Sequence, residues 1–127
     1  MHVLLIEPDK IQAMAAQQAL KGAGHTVSHV LSAQGAVHAA DEQMPDVVVL
    51  ELQLPRHNGV EFLYEFRSYE EWLQVPVVVY TMVPPHALAH AATLEHELGV
   101  ARVLHKPTTS LAQLCAAVQV IAPASHA

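Results

Sequence analysis

Asp46-Val47-Val48-Val49-Leu50-Glu51-Leu52-Gln53-Leu54-Pro55-Arg56-His57-Asn58-Gly59 is the stretch that decides the fold. Val47 to Leu50 is a short, unbroken apolar run, the pattern of a strand covered on both faces. It ends abruptly in a carboxylate, Glu51. A short loop follows, and Asn58-Gly59-Val60-Glu61 opens a helix, with Asn58 and Glu61 at capping-box spacing. A charged side chain at the end of a central strand is costly unless it faces a cleft. Glu51 is therefore the first candidate functional residue, and the rest of the chain reads as a scaffold that brings other groups to it.

Working outward, the strand–helix unit recurs on both sides. Toward the N-terminus, His2 to Ile6 is a second apolar run, stopped by Glu7-Pro8-Asp9. Asp9 and Gln12 have capping-box spacing, and a helix is expected from there to Lys21, with Gly22 as its stop. Ala23 to Val30 holds another strand, but His25, Ser28 and His29 interrupt its apolar residues, which suits an edge. Ser32 can cap the next helix, which ends before Met44-Pro45.

Toward the C-terminus, the helix opened by Asn58 is expected to run to about Trp72. Val77 to Tyr80 is again wholly apolar and ends in Thr81. Pro84-Pro85 suits the first turn of a fourth helix, continuing to about Leu98 before Gly99. A short strand, Ala101 to Leu104, leads to His105-Lys106-Pro107, and a fifth helix occupies about Ser110 to Ile121. The domain is thus residues 1–121, and 122–127 is a small, unpatterned tail or the start of a linker.

Alternating strands and helices imply an α/β fold, a doubly wound (βα)5 three-layer sandwich with a parallel sheet. The first, third and fourth strands are the most uniformly apolar and belong in the centre. The spatial order 2-1-3-4-5 satisfies this, and it is the flavodoxin-like order. Its topological switch lies between the first and third strands. Glu7 ends one and Glu51 the other, Thr81 ends the fourth, and Lys106 lies just past the fifth. These polar groups converge on the carboxyl edge of the sheet, where such folds bind ligands.

Composition narrows the function classes. The 127 residues are 52% hydrophobic and 14% charged, enough to bury a core and too apolar for disorder. A formal net charge of −6 argues against direct contact with nucleic acid, which calls for a basic face. Cys115 stands alone in an apolar helical stretch, so a reducing, cytoplasmic setting is expected. No leader peptide and no run of membrane-spanning length is visible.

With these residues in place, the chain resembles the receiver domain of bacterial two-component response regulators over nearly its full length. The residues that carry the likeness are Glu7-Pro8-Asp9 after the first strand, Glu51 after the third, Thr81 after the fourth and Lys106-Pro107 after the fifth, with Leu52-Gln53-Leu54-Pro55 and Gly59 in the loop. The resemblance implies that Glu51 stands at the phosphoacceptor position and that Glu7 and Asp9 belong to an acidic pocket. It further implies that Lys106 contacts the acceptor site, that Thr81 is the switch hydroxyl, and that a cis peptide joins Lys106 to Pro107.

The chain also departs from that pattern. The acceptor position holds Glu where the family has Asp. One extra methylene moves the carboxylate outward by roughly an ångström, and a misplacement of that size can cost about 100-fold in rate. Pro8 stands where the family places a metal-ligating acid, Asp9 reads as a helix cap, and Val103 replaces the usual switch aromatic. Ala101-Arg102 lacks an acid common early in the fifth strand, and the helix-four region is a few residues long. The expected reading is a degenerate receiver, a pseudo-receiver without enzymatic activity. Glu51 would pair with Lys106 and only partly mimic a phosphate, about one negative charge against −1.5 to −2. No metal ion is expected, weak Mg²⁺ binding at Glu7 and Glu51 being the most that these residues allow. The expected partner is a signalling protein, or a second copy in a homodimer, on the face of helix four, strand five and helix five, with no membrane contact. The alternatives are a working phosphoacceptor fed by a histidine kinase, and a receiver cut from a longer regulator whose output domain follows Ala127.

Plainer readings stand beside each residue. Glu7 could be a surface carboxylate near a helix start, and Thr81 could simply end a β-branched strand. Lys106-Pro107 after a short apolar strand is the hardest to explain by packing. His86, His90 and Glu97 could share a helix face as metal ligands, though solvated helix positions explain them as well. His57 before Asn58-Gly59 lacks the Asp and the spacing of a cobalamin-binding pattern, which is rejected. Several of the 10 histidines could charge near pH 6 and reduce the negative charge. Met82-Val83 and the alanine-rich fourth and fifth helices could leave an apolar surface.

Overall fold

The computed structural model describes residues 1–88 and 91–121. Residues 122–127 and His90, and with it the His86/His90 pairing, lie outside the described residues. The strands are β1 (His2–Ile6), β2 (Thr26–Val30), β3 (Val47–Leu50), β4 (Val77–Thr81) and β5 (Val100–His105). The helices are α1 (Lys10–Gly22), α2 (Ala33–Glu42), α3 (Gly59–Arg67), α4 (Ala91–His96) and α5 (Leu111–Ile121). All strand pairs are parallel, in the order β2-β1-β3-β4-β5. This is the flavodoxin-like doubly wound sandwich.

The period of two along each strand divides the core. Leu4, Ile6, Val48, Leu50, Val77 and Val79 face α2, α3 and α4, against Phe62, Phe66 and Leu94. Val3, Leu5, Val47, Val49 and Val78 face α1 and α5, against Leu20, Leu114 and Val118. Every residue of β3 is at most 1% exposed. Burying each such side chain stabilises by about 1.5–3 kcal/mol before entropy, so this strand anchors the sheet.

The caps follow local chemistry. The Asp9 side chain accepts from the N–H groups of Ile11 and Gln12, Ser32 accepts from Gly35, and Asn58 accepts from Glu61. The stop of α1 is displaced from the expected Gly22, which is helical, to Gly24 at φ +97°. Gly24 N–H returns to the Lys21 carbonyl at 3.0 Å and His25 N–H to Leu20 at 3.1 Å, a Schellman closure that needs a left-handed residue.

Two helices are shorter than expected. α3 ends at Arg67, and a separate 3-10 turn, Glu70–Trp72, follows. A continuous helix would put residue 72 roughly 240° around the axis from residue 66. The break instead stacks the Trp72 ring on Phe66, with centroids 5.0 Å apart. Arg67 secures the junction, giving its Nε to the Leu98 carbonyl at 2.9 Å and its Nη1 to that of Trp72 at 2.7 Å. The fourth helix is a 3-10 turn, Pro85–Ala87, and a separate α4, because Leu88 (φ −84°, ψ 86°) leaves helical geometry. The Lys106–Pro107 peptide is trans, correcting the cis expectation, and Lys106–Thr108 forms a 3-10 turn that follows β5 directly.

Candidate functional site

β1 and β3 end in step. Ile6 pairs with Leu50 in register, so Glu7 and Glu51 leave the sheet side by side. Backbone bonds hold both exits: Glu51 N–H donates to the Ile6 carbonyl at 3.0 Å and Glu7 N–H to that of Val30 at 3.1 Å. On the far side β4 ends in Thr81, in register with His105, and places Lys106 beyond it. Three polar groups here are buried, Glu7 at 5% exposure, Glu51 at 4% and Thr81 at 0%. The Lys106 side chain is 7% exposed.

Such burial is tolerable only where each polar atom finds a partner. The Lys106 ammonium bridges the two carboxylates, bonding Glu7 Oε1 and lying 2.9 Å from Glu51 Oε1. Glu51 Oε1 also accepts from Met82 N–H at 3.1 Å. Glu51 Oε2 accepts from the Thr81 hydroxyl and from Gln53 N–H, the latter at 3.2 Å. Glu7 Oε2 accepts from Asp9 N–H at 3.0 Å. Burial alone pushes the Glu51 carboxyl up, but the bonds from Thr81, Lys106, Met82 and Gln53 outweigh it and hold the group below its ordinary range. Burial alone lowers Lys106, but its bonds and charge pairing with Glu7 and Glu51 outweigh that and keep it raised.

Glu7, Glu51, Thr81 and Lys106 therefore meet in one notch. Asp9 does not join them. Its carboxylate serves the first turn of α1, and only its N–H reaches into the site, toward Glu7. Pro107 lies in the turn behind Lys106 without a polar role.

Two contributors carry no signal in sequence spacing. Tyr80 lies beneath the Lys106 ammonium, 5.7 Å from Nζ to the ring centroid, and its hydroxyl donates to the Thr109 carbonyl at 3.3 Å. His29 Nε2 lies 2.8 Å from the Glu7 carbonyl oxygen and ties the edge strand to the exit of β1. Tyr80 was hidden inside an apolar strand run, and the His29 contact is to backbone, which no side-chain motif reports.

A divalent ion of the magnesium type wants near-octahedral oxygen ligation. The oxygens of Glu7 and Glu51 already accept from Lys106, Thr81 and backbone N–H groups, Pro8 offers no side-chain oxygen, and Asp9 is engaged as a cap. Among the described residues, no group of three or more His, Cys, Asp or Glu side chains converges as a metal site. Each Glu7 and Glu51 oxygen is thus already hydrogen-bonded in this arrangement.

The profile of the response regulator receiver domain matches residues 3–119. The chain belongs to that family. Among curated relatives of this receiver, the KDP operon transcriptional regulatory protein KdpE of Escherichia coli K12 is 32% identical over 78 residues, 61% of this chain and 33% of that protein. KdpE of Mycobacterium tuberculosis H37Rv is 36% identical over 80 residues, 62% of this chain and 34% of that protein. The matched stretch thus spans about a third of each relative's length.

Solved structures agree on the fold. A sensor protein from Polaromonas sp. JS666 superposes with a TM-score of 0.87 at 20% identity, over 97% of this chain and 96% of that one. The receiver domain of a sensor histidine kinase from Pseudomonas aeruginosa PAO1, with a magnesium ion in its active-site cleft, superposes at 0.81 and 24% identity, over 96% and 97%. Among the described residues of this receiver, no helix is long and apolar enough to cross a membrane.

Proposed function

We propose that this receiver is a pseudo-receiver: it signals by protein–protein interaction, from a pocket held in one state by its own side chains. The observation that carries this reading is the fully engaged Glu51 carboxylate. Both of its oxygens accept hydrogen bonds, from Lys106 and Met82 on one side and from Thr81 and Gln53 on the other. In-line phosphoryl transfer needs a free attacking oxygen and a metal clamp. Here the attacking group is one methylene too long, its lone pairs are taken, and the neighbouring position is Pro8. Mg²⁺ binding is then absent or weak.

The surface offered to a partner, or to a second copy, is formed by α4, β5 and α5. On the β5 and α5 part of it lies a groove of about 340 Å³, lined by Arg102, Leu104, Thr108, Gln113 and Val120. Met82 is 45% exposed beside the loop that Glu51 holds, and Val120 is 78% exposed on α5. The curated relatives are transcriptional regulators, which supports a second reading, that the receiver passes its state to an output domain of that class.

The test is incubation with a small-molecule phosphodonor and Mg²⁺, followed by intact-mass analysis. The expected spectrum is that of the unmodified chain. A stoichiometric phosphoryl adduct on Glu51 or any other residue would restore the working phosphoacceptor.

A further inference from the structure

We infer that the Lys106 ammonium is the resident cation of this pocket, standing between Glu7 and Glu51 in place of a divalent ion. The inference rests on the pseudo-receiver reading and extends it by naming what balances the carboxylates.

The charge arrangement carries the argument. Two buried carboxylates side by side repel, and one of them takes up a proton unless a cation intervenes. Lys106 supplies that cation, touching Glu7 Oε1 and Glu51 Oε1 together. The other two oxygens are served by Asp9 N–H on Glu7, and by Gln53 N–H and the Thr81 hydroxyl on Glu51. Each of the four carboxylate oxygens has a donor, and both oxygens of Glu51 have two, so a metal ion bound to Glu51 would have to displace one of them.

The ammonium is also held in advance. The Tyr80 ring lies beneath it, the Tyr80 hydroxyl pins the turn that carries Lys106, and the stem is buried. A lysine so fixed has little side-chain entropy left to lose, unlike the flexible lysine of a surface pair.

The inference makes Lys106→Met a variant that gains a metal response. Without the ammonium, Glu7 and Glu51 face one another and draw in either a proton or a divalent ion. The experiment compares wild type, Lys106→Met and Lys106→Arg by thermal unfolding at about pH 8 and about pH 5, with and without Mn²⁺, and by the electron paramagnetic resonance signal of free Mn²⁺. Wild type and Lys106→Arg should leave the Mn²⁺ signal intact and show no Mn²⁺-dependent shift in Tm. Lys106→Met should unfold at lower temperature at the higher pH, recover on acidification and on Mn²⁺ addition, and deplete the free signal. One Mn²⁺ bound per wild-type chain, or a Lys106→Met protein indifferent to both pH and Mn²⁺, would overturn the inference. Should Lys106→Met alone fail to fold, the Glu7→Gln/Lys106→Met double variant decides: recovered folding supports the inference, and continued failure overturns it. Mn²⁺ binding by a wild type that takes no phosphoryl group removes this inference alone, whereas phosphoryl labelling removes the pseudo-receiver reading beneath it.

Discussion

Thr81 donates its hydroxyl to Glu51 Oε2, and the same hydroxyl oxygen accepts the Val83 N–H at 3.1 Å. One wholly buried side chain thus ties the end of β3 to the loop after β4. Thr81→Val keeps the shape and removes the hydroxyl. It leaves a carboxylate oxygen short of a donor and the Val83 N–H without its acceptor. Leaving a buried polar group unsatisfied costs about 1–3 kcal/mol. Urea denaturation should show a loss of that size for Thr81→Val and a much smaller one for Thr81→Ser, which keeps the bond. Equal losses for both would mean that the methyl, not the hydroxyl, matters.

The Glu51–Lys106 pair contributes to stability only between two pH limits. Glu51 is held below its ordinary value of 4.5, so its contribution is present above that value and is lost as pH falls through the lowered one. Lys106 is raised above 10.5, so its contribution is present below that value and is lost as pH rises through the raised one. Between the two limits the pair adds a plateau. Glu51→Gln keeps the shape and cancels the carboxylate, and breaking a buried pair from one side costs about 3–5 kcal/mol. Denaturation midpoints across the acid range should be lower for Glu51→Gln at neutral pH and should converge on wild type in acid. Parallel curves would assign the acid limb to other carboxylates.

Much of this was legible in the chain because strands announce themselves. The runs at His2, Val47 and Val77 are apolar on both faces, so each had to be central, and the residue ending each run had to lie at the sheet edge. That reasoning brought Glu7, Glu51, Thr81 and Lys106 together. It foresaw the pair between Glu51 and Lys106 but not the bridge on to Glu7, because a lysine's reach is set in space and leaves no trace in spacing. Arg67 and Tyr80 were missed for a related reason. Their partners are backbone carbonyls at Leu98, Trp72 and Thr109, and a carbonyl has no residue identity to read. The overlong third helix came from following helical spacing through Arg67, where the stacking of Trp72 on Phe66 overrides propensity.

Gly59 is small because two backbones approach there. A Cβ at this position would lie 2.8 Å from Leu52 Cα and 3.2 Å from the Glu51 carbonyl oxygen. Gly59 N–H also donates to the Leu52 carbonyl at 2.8 Å, so the start of α3 is fastened to the loop that carries Glu51. Since the clash is with backbone, no rotamer change relieves it. Gly59→Ala should therefore destabilise by about 1–3 kcal/mol and should move the Met82 and Gln53 amide resonances, whose N–H groups bind Glu51. A stability loss with unmoved amides would confine the strain to α3 and separate it from the site.

His25 is a buried ring whose Nε2 has no hydrogen-bond partner among the described residues and whose Nδ1 lies 3.4 Å from the N-terminal ammonium. Burial, and then the nearby ammonium, push its pKa below the ordinary 6.5. The unfolded chain therefore takes up a proton before the folded one does. Stability is full above about pH 6.5 and declines as pH falls toward the lowered value. His2 is lowered too, by burial first and despite Asp46, and adds to the same decline. His25→Leu removes an ionisable ring and an unsatisfied nitrogen together. It should raise stability by about 1 kcal/mol and flatten the slope between about pH 6.5 and 5, leaving the share due to His2. Chemical denaturation at both ends of that interval measures the slope directly. If His25→Leu and wild type decline alike, the ring is not what the falling pH acts on, and His2 becomes the group to replace next.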